Sequence, residues 1–210
     1  MKIAVLSESP VDEAFIKIIV GAILKKQVEN ITTHSLQSRG WQALLQVTPA
    51  VIRNLYYKTE AEALAIVVDS DETLIHSQLH EQDEKTNSNC RLCGLRRIIK
   101  NTQDKITVMP NRAMIKTAVG LAVPAMEAWY RCGLDAQVNE ATWVRASNEK
   151  KFPYTKQKLK IDAYGSDRAG ISLMTRCAVE AANRLANDLT EIEKLFPGGF
   201  GSFARDVRGW

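Results

Sequence analysis

The chain has no long hydrophobic run. Its longest apolar helix-like stretch, Phe15 to Leu24, contains Lys17 and falls short of the ~20 residues needed to cross a bilayer, so no membrane association is expected. A short apolar run closing at Glu8 follows Met1 and Lys2, which is not the shape of a signal peptide, and a cytoplasmic location is expected. Cysteine is sparse, with four in 210 residues; in a reducing compartment these do not read as a disulfide framework. No internal repeat and no low-complexity linker divides the chain. No G-x-x-x-x-G-K-[ST] occurs, so an ATP-driven step is not expected of this chain alone.

What is present is an ordinary globular composition, 45% apolar and 25% charged, which favours one domain with an elaboration. The first third alternates strand and helix. "KIAVLSE" reads as a strand, and "VDEAFIKIIVGAILKK" places Val11, Phe15, Ile18, Ile19 and Ile23 on one helical face. "NITTHSLQ" reads as a second strand, and Thr48-Pro49 within "GWQALLQVTPAVIRNLYYK" as a helix cap followed by a first helical position. "ALAIVV" is a third strand, uniformly apolar as in a parallel sheet covered on both faces. "KITVMP" is the expected fourth strand. The pattern predicts an α/β fold, Rossmann-like, with a parallel sheet flanked by helices over residues 1–133 and a C-terminal helical extension of the same domain over residues 134–210.

The chemistry-bearing residues cluster at strand ends. Glu8 closes the first strand, and Asp69-Ser70-Asp71 closes the third. In an open parallel sheet, functional groups gather at the carboxyl ends of strands, and neighbouring strands lie about 4.8 Å apart. Three carboxylates sharing one rim repel unless a cation or protons neutralise them, and hard oxygen ligands suit Mg²⁺ or Mn²⁺. A pleated backbone would aim Asp69 and Asp71 to the same side. Asp-Ser-Asp is equally a turn and helix-cap sequence. In "SPVDE", Ser9 reads as an N-cap and Pro10 as the first helical residue, which leaves Asp12 a structural role as well.

"LSESPVDEAF" followed by "AIVVDSD" resembles the TOPRIM domain, the metal-binding fold of type IA and type II topoisomerases, bacterial primases and nucleases of the overcoming-lysogenization-defect class. That family carries Glu-Gly-x-x-Asp or Glu after one strand and Asp-x-Asp after a later one. The resemblance maps these onto Glu8 with Asp12, and Asp69 with Asp71. "LAVPAMEAWY" looks like a segment of small bacterial TOPRIM-like proteins, some tied to phage defence, and brings in Glu127. The implied metal set is Glu8, Asp12, Asp69, Asp71 and Glu127 around Mg²⁺, with Glu8, Asp69 and Asp71 catalytic. The implied activity is nucleic-acid phosphodiester hydrolysis, as an antiviral defence nuclease or nuclease subunit working with an ATPase partner. Self-association as a homo-oligomer is compatible with it. A non-catalytic binding or assembly subunit that kept the fold is the alternative. The family's glycine is Ser9 here, which bears on the turn that approaches phosphate. Tyr56, Tyr57, Tyr130, Tyr154 and Tyr164 come without a recognisable cleavage domain, so hydrolysis is expected over topoisomerase chemistry.

Two further groups stand out. His76, His80, Cys90 and Cys93 form H-x3-H and C-x2-C pairs, the ligand types of a tetrahedral zinc site; two histidines four apart could share one helical face, and buried hydrophobic cysteines are the bland reading. Cys132 and Cys177 read as core, and His34 has no visible partner. The charge, +4 overall, is unevenly placed. Residues 60–89 are acidic, while Arg91, Arg96, Arg97, Lys100, Lys105, Arg112, Lys116 and the span 145–160 are basic. Lys156, Lys158 and Lys160 are candidate contacts to a nucleic-acid backbone, although a spacing of two does not place them on one helical face.

Overall fold

The computed structural model describes residues 1–32, 40–71, 73–77, 79–82 and 89–210, with the backbone alone for residues 81–82. The elements in chain order are β1 (Lys2–Ser7), α1 (Pro10–Leu24), β2 (Glu29–Asn30), α2 (Gly40–Lys58), β3 (Ala63–Asp69), α3 (Leu79–Gln82) and α4 (Arg91–Gln103). They are followed by β4 (Lys116–Ala122), α5 (Met126–Tyr130), α6 (Glu140–Glu149), α7 (Lys156–Tyr164), α8 (Ile171–Ala186), α9 (Thr190–Leu195) and α10 (Phe200–Arg208). The fold is α/β. Among the described residues four strands lie in the order β2-β1-β3-β4, all parallel, with Ser7 opposite Val67 and Asp69 opposite Ala122.

That order fixes where a site can form. The chain leaves β1 toward one edge through α1, then returns past β1 to β3 and continues to β4. Because parallel crossovers are right-handed, reversing direction moves the covering helices to the opposite face. Accordingly α1 packs with α10, and α2 packs with α4. The reversal leaves a crevice between the carboxyl ends of β1 and β3, the place where open α/β sheets bind ligands.

Between their ends the central strands carry no polar side chain, with Lys2 at the start of β1 and Ser7 at its close. Ala63 through Val68 are buried on both faces of the sheet, so Asp69 is the first position at which the strand meets a polar rim. α1 starts where its sequence says it should: Ser9 accepts from the Val11 N–H at 3.2 Å and Pro10 occupies the first turn. The C-terminal helices share the same core. α8 lies against α1, and α10 lies on β4 with Phe200, Phe203 and Val207 fully buried. Among the described residues no helix is long and apolar enough to cross a membrane.

Three sequence expectations need correction. The fourth strand is not "KITVMP": Ile106 is buried, but Val108 and Met109 are exposed, and the strand is the later apolar run Lys116–Ala122, whose small residues fit between helices on both faces. Thr48-Pro49 does not begin a helix. α2 runs through it, because Leu44, Thr48, Val51, Ile52 and Leu55 form one buried stripe, and the Thr48 hydroxyl donates to the Leu44 carbonyl at 2.7 Å. Among the described residues the second strand covers Glu29–Asn30, starting one residue earlier than "NITTHSLQ", with the Ile31 N–H donating to the Ile3 carbonyl; residues 33–37 of that reading, His34 among them, lie outside the described residues.

Candidate functional site

The acids expected to meet do meet, at the crevice between β1 and β3. Glu8, one residue past β1, accepts the Asp69 N–H on Oε1 at 3.2 Å. Asp71 reaches the same rim by a turn instead of by strand alternation. Its φ is +49°, its N–H donates to the Pro124 carbonyl, and the Thr73 N–H closes the turn onto the Ser70 carbonyl. The left-handed conformation suits the short polar aspartate side chain.

Two cations of the chain hold this rim. Lys156 Nζ, from the first turn of α7, donates to Asp69 Oδ2 at 3.0 Å and also pairs with Asp71 Oδ1. Arg91, the first residue of α4, puts Nη1 2.6 Å from Asp71 Oδ2, 2.6 Å from the Asp69 carbonyl oxygen and 4.0 Å from Glu8 Oε1. Trp41 lies under its guanidinium at 5.2 Å. The other oxygen of Asp69 accepts the Met126 N–H of α5 at 3.0 Å.

Below the rim lies a second pair of acids, tied to tyrosines. Asp12 Oδ1 accepts from the Tyr130 hydroxyl at 2.7 Å, and Glu127 Oε1 from the Tyr164 hydroxyl at 3.2 Å. Five carboxylates therefore share this end of the sheet with two cationic side chains. Burial, opposed by Lys156 and reinforced by Glu127 and Glu8, pushes Asp69 up to about 7. Burial, then the charge of Asp69, pushes Asp12 well above its ordinary range. Burial also raises Glu8, against the Asp69 N–H and Arg91. Asp71 is the exception: burial pulls it up, but its bonds to Lys156 and Arg91 outweigh that and hold it low. Lys156 is raised, since its loss of hydration is outweighed by the two aspartates.

The lysines foreseen as one nucleic-acid contact are divided. Lys156 turns into the acidic rim, Lys158 pairs with Asp162 one turn on, and Lys160 is exposed. Much of the basic flank is structural too: Arg96 donates to Asp206 and Ser202, and Arg112 to the Leu55 carbonyl. Beside Asp71 and Lys156 a cavity opens whose walls include Trp143, Phe152 and Tyr154. Trp143 lies 4.5 Å from Phe152 and 5.4 Å from Tyr154 between ring centroids, and Phe152 is 42% exposed.

The histidines and cysteines form a separate cluster next to Arg91. His76 and His80 do not share one helical face, because His76 precedes α3 and only His80 lies in it. They are still adjacent, with ring centroids 5.4 Å apart and edge to face. Cys90 caps α4 and Cys93 lies in its first turn; their sulfurs stand 3.7 and 3.5 Å from His76 Nδ1. One ligand atom from each of the four residues lies within 4.8 Å of the others. Burial, with Cys90 adding to it, pushes the Cys93 thiol up to about 12. Cys132 is buried and Cys177 packs against the core, as expected.

Sequence reasoning overlooked the roles of Arg91, Tyr130 and Tyr164. Arg91 was legible only as one member of a basic flank, and the tyrosines only as candidate nucleophiles without a cleavage domain. Nothing local marks them, since each reaches an acid from a distant part of the chain. The chain matches no family model, no curated protein and no solved structure.

Proposed function

We propose that the rim at Glu8, Asp69 and Asp71 is a divalent-metal site for phosphodiester hydrolysis on nucleic acid, of the TOPRIM type that the two acidic motifs resemble. One observation carries this reading: the strand-terminal Glu8 and Asp69 are joined by a hydrogen bond at the topological switch point, with Asp71 held to Asp69 through Lys156. The fit to a hard cation rests on charge: five carboxylates, Glu8, Asp12, Asp69, Asp71 and Glu127, share this end of the sheet with two cationic side chains, Lys156 and Arg91. Glu8, Asp69 and Asp71 would hold Mg²⁺ or Mn²⁺. Asp12 and Glu127 are tied to Tyr130 and Tyr164 and act from behind as the layer that orients the rim. When bound, such an ion stabilises charge on phosphoryl oxygens and lowers the pKa of an attacking water. Arg91 and Lys156 are the cations placed to meet a phosphate, and the Trp143, Phe152 and Tyr154 wall offers stacking faces for bases. An ATPase partner and a role in phage defence rest on the resemblance.

A second reading, a binding or assembly subunit without catalysis, is favoured by Lys156 itself, which already stands between the two aspartates as an internal cation. The test is cleavage of plasmid DNA, single-stranded DNA and RNA by the purified chain with Mg²⁺ or Mn²⁺. Divalent-dependent cleavage that falls by about 100-fold or more in Asp69→Ala, the scale of losing one preorganised charge-stabilising group, supports hydrolysis. An inert wild-type chain that still binds nucleic acid supports the subunit, and cleavage unchanged by Asp69→Ala overturns the site.

A further inference from the structure

We propose that His76, His80, Cys90 and Cys93 bind one zinc ion, a structural site that ties the segment following β3 to the start of α4 and so fixes Arg91 against the acidic rim. The inference does not rest on the phosphodiester reading.

The distances match a common centre. With Zn–S of about 2.3 Å and Zn–N of about 2.1 Å, a tetrahedral ion holds its sulfur and nitrogen ligands about 3.6 Å apart. Both cysteine sulfurs stand 3.7 and 3.5 Å from one nitrogen, His76 Nδ1. All four ligand atoms lie within 4.8 Å of one another, so a tetrahedral ion would draw the widest pair together by up to about 1 Å. The pairing of two thiols with two imidazoles in a tetrahedral set selects zinc over the harder divalent ions. Among the described residues His80 Nδ1 is buried with no hydrogen-bond partner, a cost that donating its lone pair to a coordinated ion would remove. Four protein ligands fill the tetrahedron, which is the mark of a structural and not a catalytic zinc.

The site's position gives it a consequence. Cys90 and Cys93 bracket Arg91, whose guanidinium contacts Asp71 and the Asp69 carbonyl. The carbonyl of His76 is pressed against Gly198, where an added Cβ would come within 2.1 Å of it, so the first ligand is braced from the other side by the C-terminal "PGG" turn. The zinc thus joins two separate parts of the chain at the flank of the rim, with a third, the turn at Gly198, packed against one of them.

The test uses the full chain, expressed in zinc-supplemented medium and purified without a polyhistidine tag. Elemental analysis and native mass spectrometry should find one zinc per chain that survives dialysis against EDTA. A thiol-directed mercurial added to the folded wild type should release that zinc in step with modification of two cysteines, a readout that needs no variant. Cobalt refilling should give thiolate-to-cobalt charge-transfer bands and the intense visible absorption of four-coordinate Co²⁺, both lost in the Cys90→Ser/Cys93→Ser double variant. Asp69→Ala should keep its zinc, which separates this site from the rim. A folded wild type without zinc and without a cobalt spectrum overturns the proposal, as does a Cys90–Cys93 disulfide in the reduced-cytosol product or zinc retained by the double cysteine variant.

Discussion

Lys156 Nζ lies 3.0 Å from Asp69 Oδ2, although the two residues are 87 positions apart in the chain. The contact brings the first turn of α7 onto the end of β3, so a helix in the last third of the sequence supplies the counter-charge for acids set by the first third. Lys156→Met should leave Asp69 and Asp71 facing only Arg91. A fully buried pair broken on one side loses roughly 3–5 kcal/mol; with the Lys156 side chain 36% exposed, a loss of about 1–2 kcal/mol is expected. Urea unfolding measures it, and Asp69→Asn in the Lys156→Met background should recover part of the loss. Strict additivity of the two changes would falsify the coupling. Added Mn²⁺ should stabilise Lys156→Met more than wild type if the lysine stands in for a divalent ion.

Glu140 gives a pH dependence away from the rim. Its two oxygens accept the Gly198 and Gly199 N–H groups at 2.8 and 2.7 Å, and burial, opposed by those bonds, pushes it up to about 7 from 4.5. A carboxyl whose folded pKa is raised binds its proton more tightly in the native state, so its contribution is complete below pH 4.5 and is lost as pH rises toward 7. The stability difference between wild type and Glu140→Gln should therefore shrink by about 3 kcal/mol across that window. Equilibrium unfolding at several pH values tests it, and a difference that stays constant with pH refutes the assignment.

Gly199 and Gly94 should respond oppositely to alanine. A Cβ on Gly199 would sit 1.9 Å from the Leu121 carbonyl oxygen, where β4 ends, and backbone cannot move aside cheaply. Gly94 lies inside α4, and among the described residues only the Trp41 ring is near, at 4.0 Å. Gly199→Ala should lower the thermal midpoint sharply or prevent folding, at a cost above the roughly 1–3 kcal/mol of ordinary overpacking. Gly94→Ala should stabilise by about 0.5–1 kcal/mol from helix propensity. Differential scanning calorimetry on the two variants decides, and equal midpoints would contradict the close approach at Leu121.

The sequence alone determined what short-range physics controls. Apolar runs of strand length and the 3.6-residue face of α1 gave the α/β class, since burial period and local capping are encoded within a few residues. The acids were legible because a carboxylate closing a buried strand is costly without a partner, and Glu8 and Asp69 do meet. The H-x3-H and C-x2-C pairs announced their chemistry by residue type, and the structure gathers them into one cluster. Tertiary structure decided the rest. "KITVMP" and Lys116–Ala122 compete on local pattern, and only the space beside β3 settles which one pairs. Helix α2 runs through Pro49 because its buried stripe outweighs one lost backbone hydrogen bond. That Lys156 and Arg91 pair with the rim acids, and that Tyr130 and Tyr164 hold the acids behind it, depends on contacts between residues far apart in sequence. No local periodicity carries such contacts; they exist only once the sheet has brought its carboxyl edge, α4, α5 and α7 together.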